Sequence, residues 1–367
     1  MPPSDGPGTL PATNNEVMTN EPPLKSHRRP DVATTMVAVG AVRFGDGSYP
    51  VLAGPLVVES ESQIRAIAEL VAGSGGSVLR AGTYRADDSP YGFAGLGKEG
   101  VLLLQAAGRD SGLATSTEVL EPGTVEHIAE HVDMLEIGSG NMQNFALLTA
   151  AGEAGKPVLL KRGPSATIDE WLFAAEYILN EGNDEVVLCE RGIRTFEPRS
   201  GDMLDISAIP LVQRRSHLPV LIDPTAAGDT ELLVPLALAG RAAGADGLLL
   251  TVHPDPARAR AGRAAQLDPA SFRMLIAELG VPTLRDEIDR IDREMILLIT
   301  RRLRRAVEIA ERKREQGMPL RSPEREAELL AEVRTEAEQL GIDPEFVAAL
   351  FDTVLEHTRR AQQRAIE

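Results

Sequence analysis

Cysteine is nearly absent: the chain of 367 residues has one, Cys189. A single thiol can neither close an internal disulfide nor build a cysteine-based zinc site. It fits a reducing compartment, and a cytoplasmic protein is expected. Aromatic residues are scarce at 4%, so any core must be built from Leu, Val, Ile and Ala. Positive charge is also in deficit. Lys and Arg number 38 against 55 Asp and Glu, a net charge of −17. Such an acidic chain repels phosphate backbones, which argues against non-specific nucleic-acid binding. No run of about 18 apolar residues occurs, so no membrane-spanning helix is expected. No charged start leads into an apolar stretch, so no secretion signal is expected either.

Hydrophobic residues are plentiful at 43%, enough for one large core and a smaller domain. Residues 1–33 are rich in Pro, Asn, Thr and Ser without a periodic apolar face, and read as a disordered tail. Short apolar runs then recur at 51–57, 78–84, 113–119, 134–139, 157–163, 185–191, 219–225 and 247–253. Each is apolar almost throughout, as strands buried on both faces are. Stretches with helical spacing, such as "SQIRAIAELVAG" and "TVEHIAEHV", lie between them. Eight strand–helix units without a Gly-rich dinucleotide fingerprint predict a closed (β/α)8 barrel over 34–282. Arg80, Glu118, Lys161, Arg162, Glu190, Arg191, Asp223 and His253 fall at the C-terminal ends of the runs, the face where such barrels carry their sites.

From Leu284 the pattern changes. Apolar residues at Leu284, Ile288, Ile291, Met295, Leu298, Ile299, Leu303, Ala306, Val307 and Ala310 predict one long helix. "GMPLRSPE" breaks it, and a second helix is expected from about Ser322, with Pro in its first turn and Glu soon after. "LGIDPE" breaks that one, and a third helix follows. Two shorter helices cannot cover the apolar stripe of the first, so residues 284–367 are expected to form an intertwined homodimer or a higher homo-oligomer.

The segments "AGPLVVES", "SPYGFAGLG", "TEVLEP", "NMQNFALL", "PVLLKRG", "LCERGIRTFE" and "GADGLLLTVHPDP" resemble, in order, those of DAHP synthases. That family condenses phosphoenolpyruvate with erythrose 4-phosphate on a divalent metal held by Cys, His, Glu and Asp. The resemblance places Leu56, Ala226, Thr251 and Gly262 at those four ligand positions, so no metal is expected. Cys189 corresponds to a cysteine beside the site and is no substitute. Asp87 and Asp88 stand in the loop that grips the sugar phosphate, and Gly140 and Gly201 replace arginines. Lys161, Arg162, Arg191, Arg194 and His253 survive. They are expected to be held in internal salt bridges, or to bind an anion. In a metal-free reaction, Lys161 and His253 would be the acid–base pair.

Residues 284–367 resemble the all-helical chorismate mutases. The family motif falls on Arg285, Arg302, Lys313, Arg325, Glu326, Thr358 and Gln362, with Ser322 near the substrate hydroxyl where relatives often carry Asp. The implied reaction, chorismate to prephenate, needs no cofactor, nucleophile or metal. The resemblance therefore implies a chorismate mutase with a barrel that has lost its synthase chemistry. Alternatives are a 4-amino-4-deoxychorismate mutase, a non-catalytic regulator that senses chorismate or prephenate and docks on an authentic synthase, and a bifunctional synthase–mutase.

Overall fold

The computed structural model describes residues 24–28, 34–85, 91–196, 202–228, 230–262, 266–280, 284–317, 319 and 322–364. A hairpin of β1 (Val37–Val39) and β2 (Val42–Phe44) precedes eight further strands. These are β3 (Val51–Gly54), β4 (Val78–Arg80), β5 (Ala114–Val119), β6 (Met134–Ile137), β7 (Val158–Lys161), β8 (Val186–Glu190), β9 (Val220–Ile222) and β10 (Leu248–Thr251). They pair in parallel, in chain order, and β10 closes on β3. The eight apolar runs are thus the eight barrel strands.

Helices α1 (Glu61–Gly73), α2 (Lys98–Ser111), α3 (Pro122–Ala129), α4 (Phe145–Glu153), α5 (Ile168–Asn180), α6 (Ala208–Arg215), α7 (Thr230–Ala242) and α8 (Pro269–Leu279) alternate with them. Local sequence starts several of these. The Ser60 side chain caps α1, Asp268 caps α8, and Thr167 with Glu170 forms a reciprocal capping box on α5. The only tryptophan, Trp171, is fully buried on α5 and donates its indole N–H to Leu160 O at 3.1 Å.

Strand alternation sorts the side chains into two cores. Outward positions such as Val51, Leu79, Leu135, Leu160 and Leu250 pack under the helices. Inward positions Leu52, Val78, Met134, Leu159, Val187, Leu221 and Leu249 fill the lower barrel, where Val37, Val39 and Phe44 of the hairpin plug it. Two residues further along the same faces the lining turns polar, with Arg80, Ser116, Glu136, Lys161, Asp223 and Thr251. Period-two spacing therefore points the charges into the upper barrel.

Most of the expected N-terminal tail lies outside the described residues, but 24–28 correct that expectation. Lys25 and Ser26 donate backbone N–H groups to Glu176 at 3.0 and 2.6 Å, and His27 forms a β-bridge with Ser216. Paired backbone fixes this segment although its composition shows no periodic pattern.

The C-terminal region has α9 (Leu284–Glu315), α10 (Pro323–Leu340) and α11 (Pro344–Arg364). Helix α11 packs on both α9 and α10. Ser322 caps α10, and Gly341 ends it in the left-handed conformation at φ 71°. Apolar side chains remain exposed, among them Ile296 at 63%, Leu297 at 65%, Leu298 at 53% and Phe346 at 63%. Among the described residues, no helix is long and apolar enough to cross a membrane.

Candidate active sites

Two regions gather chemistry-bearing residues: the upper barrel and the three C-terminal helices. In the barrel, Arg80 Nη2 lies 3.0 Å from Glu136 Oε2, and Lys161 Nζ lies 3.0 Å from Asp223 Oδ2 and 3.9 Å from Glu136. All four groups are nearly or wholly enclosed. Burial works against each charge, yet the ion pairs prevail. Despite its burial, Lys161 is held above its ordinary range by Asp223 and Glu136. Burial likewise opposes ionisation of Glu136 and Asp223, but the facing Arg80 and Lys161 hold both below the usual carboxylate range. Ser116 donates to Glu136, and Thr225 donates to Asp223.

The outer cations are engaged in the same way. Arg162 pairs with Glu190 at 2.8 Å and Asp205 at 3.1 Å, and Arg191 pairs with Asp202 at 2.5 Å. His253 accepts from the Asp255 backbone at Nδ1, so its proton sits on Nε2, 3.5 Å from Glu59 without hydrogen-bond geometry. Arg194 is exposed. Lys161 and His253 point to different carboxylates. Cys189 is fully buried and inward-facing, and its burial pushes the thiol well above its ordinary range.

Leu56, Thr251 and Gly262 meet in one sector at the mouth. Thr251 pairs in register with Gly54, two residues before Leu56. A Cβ added at Gly262 would overlap the Leu56 side chain. The Thr251 hydroxyl reaches Thr225 Oγ1 at 3.4 Å, and Ala226 follows Thr225 in the short 3-10 turn Pro224–Ala227. The side chain of Ala226 lies outside the described residues, as do Asp87, Asp88 and Gly201. In this sector the Gln266 amide oxygen accepts the Leu56 backbone N–H at 3.0 Å, and an Asp223 carboxylate oxygen accepts from Thr225. Leu56 and Gly262 have no ligand atom to offer, and Thr251 offers one neutral hydroxyl.

In the helices, Arg302 Nη1 donates to Thr358 Oγ1 at 2.7 Å, joining α9 to α11. Gln362 donates to Ala306 O at 2.8 Å, one turn along the same contact. Glu326 on α10 pairs with Arg359 on α11 at 3.0 Å. Lys313 is half-buried near the end of α9. Thus Arg302, Thr358 and Gln362 are gathered on the α9–α11 contact. Arg325 departs from the expected set. Its side chain is 65% exposed and pairs with Glu328 and Glu332 on its own helix. Ser322 spends its hydroxyl on the Arg325 backbone N–H as the α10 cap. The Arg285 side chain lies outside the described residues. Sequence reasoning missed Arg359, whose pairing with Glu326 depends on how two helices meet.

The comparisons with known proteins divide the chain at the same place. Residues 23–283 match the DAHP synthetase I family model, and residues 284–363 match chorismate mutase type II. A phospho-2-dehydro-3-deoxyheptonate aldolase of Thermotoga maritima is 43% identical over 246 residues, covering 67% of this chain and 73% of that protein. A 2-dehydro-3-deoxyphosphooctonate aldolase of Syntrophotalea carbinolica is 31% identical, covering 66% of this chain and 93% of the relative. Among solved structures, the Thermotoga maritima DAHP synthase aligns with a TM-score of 0.66 at 41% identity, covering 70% of this chain and 74% of the other. A truncated form of that enzyme gives the same TM-score at 39% identity, with 72% and 96% covered.

Proposed function

The chain belongs to the DAHP synthetase I family and carries a chorismate mutase type II domain behind its barrel, and from this premise we propose that it is a chorismate mutase whose barrel serves as scaffold or regulatory module. One observation carries the reading. The α9–α11 contact gathers Arg302, Thr358 and Gln362, and the lack of a ligand atom at Leu56 and Gly262 supports a barrel without synthase chemistry.

The rearrangement of chorismate to prephenate is intramolecular. One C–O bond breaks while one C–C bond forms, and no proton is transferred. The protein must hold a dianion in a compact shape and stabilise charge on the departing ether oxygen. Arg302 supplies a forked guanidinium for one carboxylate, held in place by Thr358. Arg285, supplied by the partner chain of a dimer, would hold the other. Lys313 and the Gln362 amide donate to the ether oxygen. Glu326 accepts from the ring hydroxyl, with Arg359 holding its carboxylate in place. Arg325 joins only by leaving its exposed partners Glu328 and Glu332, which are weak, solvent-screened contacts. The exposed Ile296, Leu297 and Leu298 support the dimer that would bring Arg285 in.

Incubating the full chain with chorismate, and separately with its 4-amino analogue, tests the proposal. Loss of chorismate with formation of prephenate is expected. Turnover of the amino analogue alone would move the substrate, and turnover of neither would leave the helices as a sensor.

A second reading, a bifunctional synthase and mutase, is favoured by the 43% identity to an aldolase. Overall identity reports a shared barrel, whereas chemistry depends on a few donors. Condensation of phosphoenolpyruvate with erythrose 4-phosphate, with manganese added, decides between the two. Product formed above background would establish the second.

A further inference from the structure

A separate set of ligating side chains lies at the end of the barrel opposite its charged mouth. Helix α3 ends at Ala129, with Glu130 as its C-cap and His131 just beyond. His127, in the last turn of α3, stands four residues before His131. This places two imidazoles and a carboxylate together where the chain turns into β6, at the end of the barrel opposite the mouth. Their ligand atoms all lie within 4.8 Å of one another, and the two rings are 4.9 Å apart between centroids.

Two further observations point to a ligand. His131 Nδ1 lies 2.9 Å from the His127 carbonyl oxygen. A carbonyl can only accept, so Nδ1 carries the proton and Nε2 presents its lone pair. A backbone carbonyl that fixes tautomer and ring orientation is the usual companion of a metal-binding histidine. In addition, His127 Nε2 is buried and has no hydrogen-bond partner. An unsatisfied buried imidazole nitrogen is costly unless something occupies it. The neighbouring α3–α4 groove is lined by Glu126, Glu130 and Glu153 against a single cation, Lys156. Its field favours a divalent cation.

We propose that His127, Glu130 and His131 bind a divalent transition ion of the zinc class, with water completing the coordination. Two imidazoles and one carboxylate suit zinc better than calcium or magnesium, which take oxygen ligands. Tetrahedral zinc spaces its donors about 3.4 Å apart at bond lengths near 2.1 Å. The widest gap must therefore close by little over an ångström. Glu130 is exposed and free to make that movement. Its place at the end of the barrel opposite the mouth makes the ion structural: it pins the end of α3 to the entry of β6.

The test uses the full, untagged chain, stripped with chelator and titrated with zinc chloride by calorimetry. One ion per chain at micromolar affinity is expected, with a rise in melting temperature on saturation. H127Q and H131Q should each weaken binding about tenfold or more and abolish the thermal shift. E130Q alters only an exposed side chain, so it tests a ligand without threatening the fold, and should also weaken binding. Cobalt in place of zinc should give the visible absorption of a tetrahedral site, lost in H131Q. Wild-type protein that binds no zinc below millimolar concentrations would overturn the proposal. So would unchanged affinity in all three variants.

Discussion

Leu56 and Gly262 constrain each other, because a side chain at 262 would run into the Leu56 branch. Gly262→Asp alone should therefore lower the melting temperature without creating a metal site, and adding Leu56→Cys should recover part of the loss. Thermal unfolding of the single and double variants checks this. In the helical domain, the proposed mutase site gives Arg302 and Lys313 different tasks, and the outcomes expected of their variants rest on that proposal. Arg302 faces a carboxylate already present in the ground state, so Arg302→Ala should raise KM strongly as well as lower kcat. Lys313 faces charge that grows on the ether oxygen, so Lys313→Ala should lower kcat by about 100-fold or more. Arg304 is exposed, and Arg304→Ala should change little. Steady-state kinetics on all three separates these roles. Near-normal turnover by Lys313→Ala would remove the proposed site.

Barrel strands and helices fail in different ways when perturbed. Glu136 on β6 is shared by Arg80 of β4 and Lys161 of β7, so one carboxylate ties three strands together. Glu136→Gln would leave two buried cations short of a partner, at a cost on the order of 3–5 kcal/mol. The folded pKa of Glu136 lies below its unfolded value. Its contribution is thus fully present above the ordinary carboxylate range and is lost as pH falls through the lowered folded value. Urea unfolding should show a large gap between wild type and Glu136→Gln at pH 7, narrowing in strong acid. Helix α9, in contrast, depends on what covers it. Its 32 residues span about 48 Å. Ile296, Leu297 and Leu298 lie on it uncovered within one chain. The full chain should sediment as a dimer at micromolar concentration. Leu298→Glu, which puts a charge into that apolar face, should shift it toward monomer and reduce mutase activity with it. A wild-type monomer with full activity would contradict the interlocked arrangement.

At the scale of the whole molecule, the proposed division of labour makes the two halves chemically independent. Chelation should leave mutase turnover unchanged, because neither Arg302, Lys313 nor Gln362 needs an ion. Any zinc retained after dialysis should disappear with H127Q and H131Q rather than with changes at the mouth. Mutase activity that falls with chelator and returns with manganese would instead tie the helical site to an ion in the barrel.

Much of this protein was legible in its order of residues. Eight apolar runs with helical stretches between them dictate a parallel barrel, since strands buried on both faces need crossover helices to cover them. A spacing of three and four from Leu284 onward, broken at Gly317 and capped at Ser322, dictates three helices. Residue identity alone leaves no ligand atom at 56 and 262, where leucine and glycine stand, and only a hydroxyl at Thr251. Pairing was not legible. That Lys161 faces Asp223 rather than His253, that Arg325 turns to its own helix, and that Glu326 meets Arg359 follow from barrel closure and helix crossing, which bring together residues far apart in the chain. The folding-back of Lys25 and Ser26 onto Glu176 depends on backbone hydrogen bonds, which any residue type but proline can donate. Composition is blind to such bonds, and only the tertiary structure decides them.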